Sequence, residues 1–376
     1  MMHLRHLILS TALVGGLFTF CGCDSESGTD TEDFLGADNG IFILNEGNFQ
    51  AGNSTLTFYN PKDLTVQNGV FNRANGYKLG DTGQSITIYG TNAYIAVENS
   101  GIIWKIDVNT FKVEGEFKSS DTGGKMIDPR YIHFASSTKA YVTDLYAPYV
   151  NVFNPTTMEY VKSIPTGQPT VDKYASTEEM VQYDKYLFAN CWSYSNKILV
   201  IDMEKDEVDG VIELPSMQPK SMKIDRNGKI WVITDGGYSG SEYGDDVPHL
   251  FKIDAATRTI EQDQALDADE ANVQIAMNGT RDTLYLINND VYRMAVSDKH
   301  LPVRPFIEAA KDKDGKRHKL YGLGVNPSNS EVYVSDAIDY QQAGVVYRYS
   351  SQGELIDKFY VGINPNGFAF RTSYTY

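Results

Sequence analysis

Tyr141-Val142-Thr143-Asp144 is one of seven short stretches that open on an aromatic or large apolar residue and run into Asn, Asp or, once, Glu. The others are Phe42 to Asn45, Tyr94 to Glu98, Leu187 to Asn190, Trp231 to Asp235, Tyr285 to Asn288 and Tyr333 to Asp336. Their first residues lie 52, 47, 46, 44, 54 and 48 positions apart, within reach of the period of a four-stranded propeller blade. The expected fold is all-β: a seven-bladed β-propeller of four-stranded blades.

Working outward from each motif strand, the same order of elements recurs. An inner strand precedes it, as in Gln84 to Tyr89, Tyr131 to Ser136, Ser221 to Arg226 and Val273 to Asn278. Tight-turn residues such as Asn227-Gly228 and Asn278-Gly279 separate the two. A third strand follows, for example Ile102 to Asp107 or Lys197 to Asp202, then an Asx turn and a more polar outer strand such as Lys112 to Phe117. No stretch sustains a helical period, so little helix is expected. The motif strand at Phe42 has no inner strand before it, whereas Gly367 to Arg371 is left over at the C-terminus. The leftover strand is expected to complete the first blade and close the ring, which protects the sheet edges.

The N-terminus reads as a targeting segment. Arg5 is followed by an apolar run from Leu7 to Phe20, too short to span a membrane stably, and the run ends at Cys21-Gly22-Cys23. A small residue before a cysteine resembles a bacterial lipoprotein cleavage box, which makes Cys23 the candidate for acylation, with Cys21 as the alternative and an ordinary secretory signal as the plainer reading. Residues 24–33 are acidic and nearly without apolar side chains, a composition that suits a tether. It also resembles the acidic surface-export signal of lipoproteins in gut Bacteroidetes. The expected division is a signal peptide at 1–22, an acylated cysteine and flexible tether at 23–39, and the propeller at 40–376.

Charge excludes some partners. The chain carries a net charge of -16, which becomes -17 once residues 1–22, whose only charge is Arg5, are removed. Nucleic acid and anionic headgroups are therefore poor partners. Of the 3 cysteines only Cys191 lies in the folded part, so no intrachain disulfide can form there.

In a propeller the loops between second and third strands open on the same face as those joining one blade to the next. Here the second-to-third loops are rich in aromatic and small residues, and they contain Tyr146, Tyr149, Trp192, Tyr194, Tyr238, Tyr243 and Tyr340. The turns on the opposite face are short and polar. Tyr and Trp among Ser, Gly and Asn make adaptable contact surfaces with little rotamer entropy to lose, which marks this rim as the binding face. The plainer reading is that some of these rings cap the core. The blade-to-blade loops add Asp128-Pro129-Arg130, Gln218-Pro219-Lys220 and Asn364-Pro365-Asn366, together with Gln168 and Lys173. A Pro-polar pair just before an inner strand is expected to set Arg130, Lys220 and Asn366 around the channel mouth.

The Asn, Asp or Glu ending each motif strand could form a carboxylate ring for a metal. The recurrence is better explained locally, by Asx side chains that close the following turn, and no metal site is expected. Asp312 to Gly315 lacks the remaining ligands of a calcium loop. His133, His249, His300 and His318 are scattered, and no Gly-x-Ser-x-Gly elbow, metal-binding His pair or phosphate-cradling loop occurs. Binding without catalysis is the expectation.

The start Ile41-Phe-Ile-Leu-Asn-Glu-Gly-Asn48, the blades of the Tyr-Val-Thr-Asp type and the lipobox with its acidic tether together resemble the BtuG-type surface lipoproteins of gut Bacteroidetes, propellers of the YVTN/YncE-like kind. The resemblance covers essentially the whole mature chain. It implies a lipid-anchored protein on the outer face of the outer membrane that captures cobalamin or a related corrinoid as its ligand, with no other cofactor, and hands it to a TonB-dependent outer-membrane transporter. On this reading the rim aromatics supply apolar contact and hydroxyl bonds, while Arg130, Lys220 and Asn366 meet amides or the nucleotide phosphate. A glycan- or protein-binding propeller and a calcium-dependent lactonase-like enzyme are the other readings.

Overall fold

Consecutive side chains of a strand point to opposite faces, so the nearly unbroken apolar runs of the motif strands require both faces to be covered. In the computed structural model, which describes residues 40–167, 176–241, 246–266 and 272–371, every motif strand is buried from at least its second residue onward. Each is the second strand of an antiparallel sheet, and seven such sheets follow one another. The readings at 1–39, including Cys21, Cys23 and the tether, and those at Gln168, Lys173 and Tyr243 lie outside the described residues.

The core is not one mass. Among the described residues it forms seven apolar clusters, one at each boundary between neighbouring blades. Tyr94 and Ala96 pack toward the third blade with Ala140 and Val142, whereas Ile95 and Val97 pack toward the first with Phe42 and Leu44. The motif aromatics also latch blades together. Tyr94 donates its hydroxyl hydrogen to the Pro155 carbonyl at 2.9 Å, and Tyr141 donates to Asp206 at 2.6 Å, each reaching an outer turn of the next blade. An aromatic at this position thus combines a large buried area with a polar tip that finds a partner.

The ring closes as the leftover strand predicts. Pro365–Phe370 pairs antiparallel with Ile41–Asn45, Phe370 opposite Ile41 and Gly367 opposite Leu44, so the first blade runs C-terminal strand, Ile41–Asn45, Thr55–Asn60, Thr65–Gln67. Tyr333 of the seventh blade packs in one cluster with Ile41, Ile43 and Tyr59 of the first. Helix among the described residues is confined to Val70–Asn75 and two 3-10 turns, the helix burying Val70 and Phe71 beside the short outer strand of the first blade.

The sixth blade departs from the pattern. Gln274–Met277, Thr283–Asn288 and Asp290–Ala295 pair as three strands, and in the outer position only Ile307 bridges to Val291. Pro302 and Pro305 stand in the segment that would supply the outer strand, and a residue without an N–H cannot extend a ladder.

Candidate ligand-binding site

The inner strands do not enter their sheets regularly at the mouth. In six of the seven blades the pairing with the motif strand slips at the first residues. Gly83 faces Val97 and Ser85 faces Ala96, which leaves Gln84 as the extra residue. In the same way Lys220 is extra between Pro219 and Ser221, and Asn366 between Pro365 and Gly367. The slips at Pro129/Ile132, Thr177/Met180 and Leu320/Leu323 release Arg130 with Tyr131, Glu178 with Glu179, and Tyr321. A β-bulge bends its strand and re-aims a side chain. Gln84, Arg130, Tyr131, Glu178, Glu179, Lys220, Tyr321 and Asn366 all line one cavity of about 490 Å³ at the mouth.

Second-to-third loops wall that cavity with Phe49, Tyr146, Trp192, Tyr194 and Tyr238, and the sixth blade adds Asn272 and Gln274, so every blade contributes. The aromatic wall is organised. The Tyr194 and Tyr238 rings sit 5.0 Å apart and Trp192 packs edge-on to Tyr238 at 6.4 Å. The Trp192 indole N–H donates to Asp235 at 2.9 Å, and Gln218 donates to the other oxygen of that carboxylate at 2.8 Å, which fixes the ring's orientation. Outward, Tyr238 remains 39% exposed, Tyr146 38% and Phe49 64%, a set of rings partly open to a ligand.

The floor is charged and almost closed to water. Arg130 Nε donates to both oxygens of Glu178, at 2.9 and 3.0 Å, and Nη1 donates to Glu98. All three side chains are buried. Burial works against the guanidinium's charge, but Glu178 and Glu98 more than restore it, so Arg130 is held cationic. Glu179 is committed elsewhere: it accepts from the Met222 N–H at 2.8 Å and pairs with Lys223 at 2.5 Å. Tyr321 donates to Glu46 at 2.5 Å, and Gln274 donates to Asn366 at 2.7 Å while accepting from the Leu323 N–H at 2.9 Å. Burial lowers the affinity of Lys220 for its proton, opposed first by Asp235 and then by Glu46 and Glu178.

Burial pushes the Glu46 carboxyl up from 4.5 to about 7, against the hydrogen bond from Tyr321, the charge of Arg130 and a bond to Asn366 and with the repulsion of Glu98. Asp128 rises from 3.8 to about 7 through burial, then Glu98 and Asp144, against Arg130. A carboxyl whose folded pKa exceeds its unfolded one binds its proton more tightly in the fold. Its contribution to stability is complete below the unfolded value and is lost as pH rises through about 7. The wild type should therefore lose more melting temperature between about pH 5 and about pH 8 than a Glu46→Gln, Asp128→Asn double variant, and parallel melting curves would refute the assignment.

Residues 39–370 match a family model described as a domain of unknown function, DUF5074. The chain belongs to the DUF5074 family. Family and blade count fit a YncE-like propeller. No curated protein matches the chain. Among solved structures, a quinoprotein alcohol dehydrogenase-like protein from Bacteroides thetaiotaomicron is similar with a TM-score of 0.65 at 15% identity, over 89% of this chain and 78% of that one. A functionally unknown protein from Desulfotomaculum acetoxidans gives 0.63 at 11% identity, over 89% and 99%. Hydrazine synthase of Kuenenia stuttgartiensis gives 0.60 at 14% identity, over 76% and 88%. At such identities the likeness is one of fold.

In this DUF5074 propeller the residues expected at the site divide as follows. Tyr146, Trp192, Tyr194, Tyr238, Arg130, Lys220 and Asn366 line the cavity at the mouth. Tyr149 does not; it starts the third strand Tyr149–Asn154, with Lys125 5.7 Å from its ring centre. Tyr340 is not part of the lining either; it is an exposed ring 5.7 Å from that of Tyr321. Sequence reasoning passed over Glu46, Glu178, Gln274 and Tyr321 as site residues. Glu178 and Tyr321 occupy the same bulge position as Lys220, but Thr177 and Leu320 stand where Pro129, Pro219 and Pro365 stand in three other loops, so the Pro-polar signature was absent.

At the ends of the motif strands, Asp144, Asp235 and Asp336 accept from backbone N–H groups two residues on, at Tyr146, Gly237 and Ile338, the Asx closure expected of them. Asn45 and Asn190 bond across strands instead, to Thr57 and to the Pro219 carbonyl, and Glu98 is taken by Arg130. Among the described residues no group of three or more His, Cys, Asp or Glu side chains is arranged to hold a metal ion. Cys191 is fully buried and its thiol is pushed up to about 12 by that burial, which leaves it unreactive.

Proposed function

We propose that this protein captures a corrinoid of the cobalamin type over the propeller mouth, is held on the cell surface by a lipid on Cys23, and passes the ligand to a TonB-dependent outer-membrane transporter. The observation that carries the reading is the mouth itself, where aromatic rings from five blades surround amide and carboxylate side chains presented by bulges. A corrinoid is a rigid disc rimmed by primary amides, each able to donate and to accept. It exceeds the cavity and would lie across it, with rings such as Trp192 and Tyr238 against its apolar surface and Gln84, Gln274 and Asn366 within reach of its rim. The resemblance of the N-terminal segment and blade motifs to cobalamin-capturing lipoproteins supports the same reading. Binding, not catalysis, is assigned.

Calorimetric titration of the mature chain with cyanocobalamin tests it. Trp192→Ala or Tyr238→Ala should weaken binding by about 2 kcal/mol, the scale of an interface anchor, with little change in melting temperature. Lys229→Ala is the control, since Lys229 opens its motif strand at the opposite face, where it pairs with Asp254 and Glu261 at 2.5 Å. Absence of heat with cyanocobalamin, or rim variants that bind as the wild type does, would remove the assignment. Binding of an oligosaccharide in its place would favour a glycan receptor, for which tilted rings such as Tyr194 and Tyr238 beside carboxylates are equally suited.

A further inference from the structure

Two cations at the mouth, Arg130 and Lys220, suggest at first sight a seat for a phosphate or carboxylate. Their surroundings say otherwise. Arg130 spends Nε on Glu178 and Nη1 on Glu98, and its planar fork is held between two buried acids. Lys220 stands in the fields of Asp235, Glu46 and Glu178. Glu179 is neutralised by Lys223, which leaves three lining carboxylates, Glu46, Glu98 and Glu178, around these two cations. No surplus of positive charge is left over at the mouth for an anion.

We propose that the mouth receives hydrogen-bond-donating groups of its ligand, primary amide or ammonium nitrogens, and turns away carboxylate and phosphate. The inference rests on the corrinoid reading only for the identity of the ligand; the charge selection follows from the lining. An anion approaching Arg130 at Nε or Nη1 would have to displace a carboxylate, leaving that carboxylate buried and unpaired, a cost that a donor group does not incur. A donor finds carboxylate oxygens and the side-chain carbonyls of the mouth amides. For a corrinoid this sets the orientation, with an amide edge facing the floor and the nucleotide phosphate facing solvent. Rejection of the wrong charge by a pre-paired site is a device of specificity as much as of affinity.

Three forms of one ligand test the selection on the full mature chain: cyanocobalamin, its derivatives with one peripheral amide hydrolysed to a carboxylate, and the same derivatives carrying an aminoethyl amide at that position. The expected result is that at least one carboxylate isomer binds ten-fold or more weakly than the parent, that its aminoethyl counterpart binds at least as tightly as the parent, and that Glu46→Gln narrows the gap. Carboxylate isomers that all bind like the parent or better would overturn the proposal. In parallel, the Trp192 indole N–H resonance is followed during titration with methylammonium and with inorganic phosphate. A shift with methylammonium and none with phosphate supports the selection, and the reverse overturns it. If cyanocobalamin does not bind at all, the corrinoid reading falls while this second titration still decides the charge selection.

Discussion

A chain ending at Asn364 is expected to lose the cooperative unfolding of the whole propeller. Pro365–Phe370 is the inner strand of the first blade, and its removal leaves the backbone of Ile41–Asn45 without a partner on the channel side. Buried N–H and C=O groups without partners cost about 1–3 kcal/mol each. The same deletion removes Phe368 and Phe370, whose rings lie 6.4 and 5.5 Å from that of Tyr333, so the boundary between the last blade and the first is opened as well. Summed over one strand these losses exceed the roughly 5–15 kcal/mol that separates a folded domain from its unfolded chain. The measurement is a urea or thermal melt followed by far-ultraviolet dichroism. A truncated chain with a sharp transition at the wild-type midpoint would mean that the ring does not depend on this strand.

Replacing Arg130 by methionine should cost about 3–5 kcal/mol at neutral pH, the usual scale for removing one partner from a buried ion pair. The guanidinium lies between Glu178 and Glu98, and without it two buried carboxylates, from the fourth and second blades, confront each other. Glu178, which burial pushes up against the charge of Arg130, then takes up a proton more readily than in the wild type, so the deficit in melting temperature should shrink as pH falls toward about 5 and grow as it rises. Adding Glu178→Gln and Glu98→Gln to Arg130→Met should recover part of the loss, because no charge is then left buried. An Arg130→Met variant that melts with the wild type at every pH would show that the trio is not buried together. Binding must be compared only among variants that remain folded, since Arg130 also lines the mouth.

Much of the architecture was legible because it is written in local pattern. Tyr141 to Asp144 and its counterparts are short, mostly apolar runs that end in a polar residue and return once per blade, and both properties survive whatever the loops do. The Pro-polar pairs at Arg130, Lys220 and Asn366 were legible for a related reason: each sits at a bulge beside a channel-side turn, and proline marks where the ladder is interrupted. Tyr146 and Tyr149, three residues apart in one loop, could not be told apart by composition. The third strand begins at Tyr149, so its side chain follows the register of that strand, while Tyr146 stays in the loop and reaches the mouth.

The sequence by itself determined the all-β class, the number of blades, the order of strands within each and the use of the C-terminal strand to close the ring, since all of these follow from short-range periodicity and the position of one unmatched strand. Only the tertiary structure decided which charges at the mouth are available. Glu98, Arg130 and Glu178 lie 32 and 48 residues from one another along the chain, on three successive blades, and meet because bulges turn their strands toward one channel. Nothing in the local sequence of Arg130 states that its charge is already spent. That depends on the distance between side chains brought together by the closed ring, and a Coulombic pairing is a property of distance and burial, not of sequence neighbourhood.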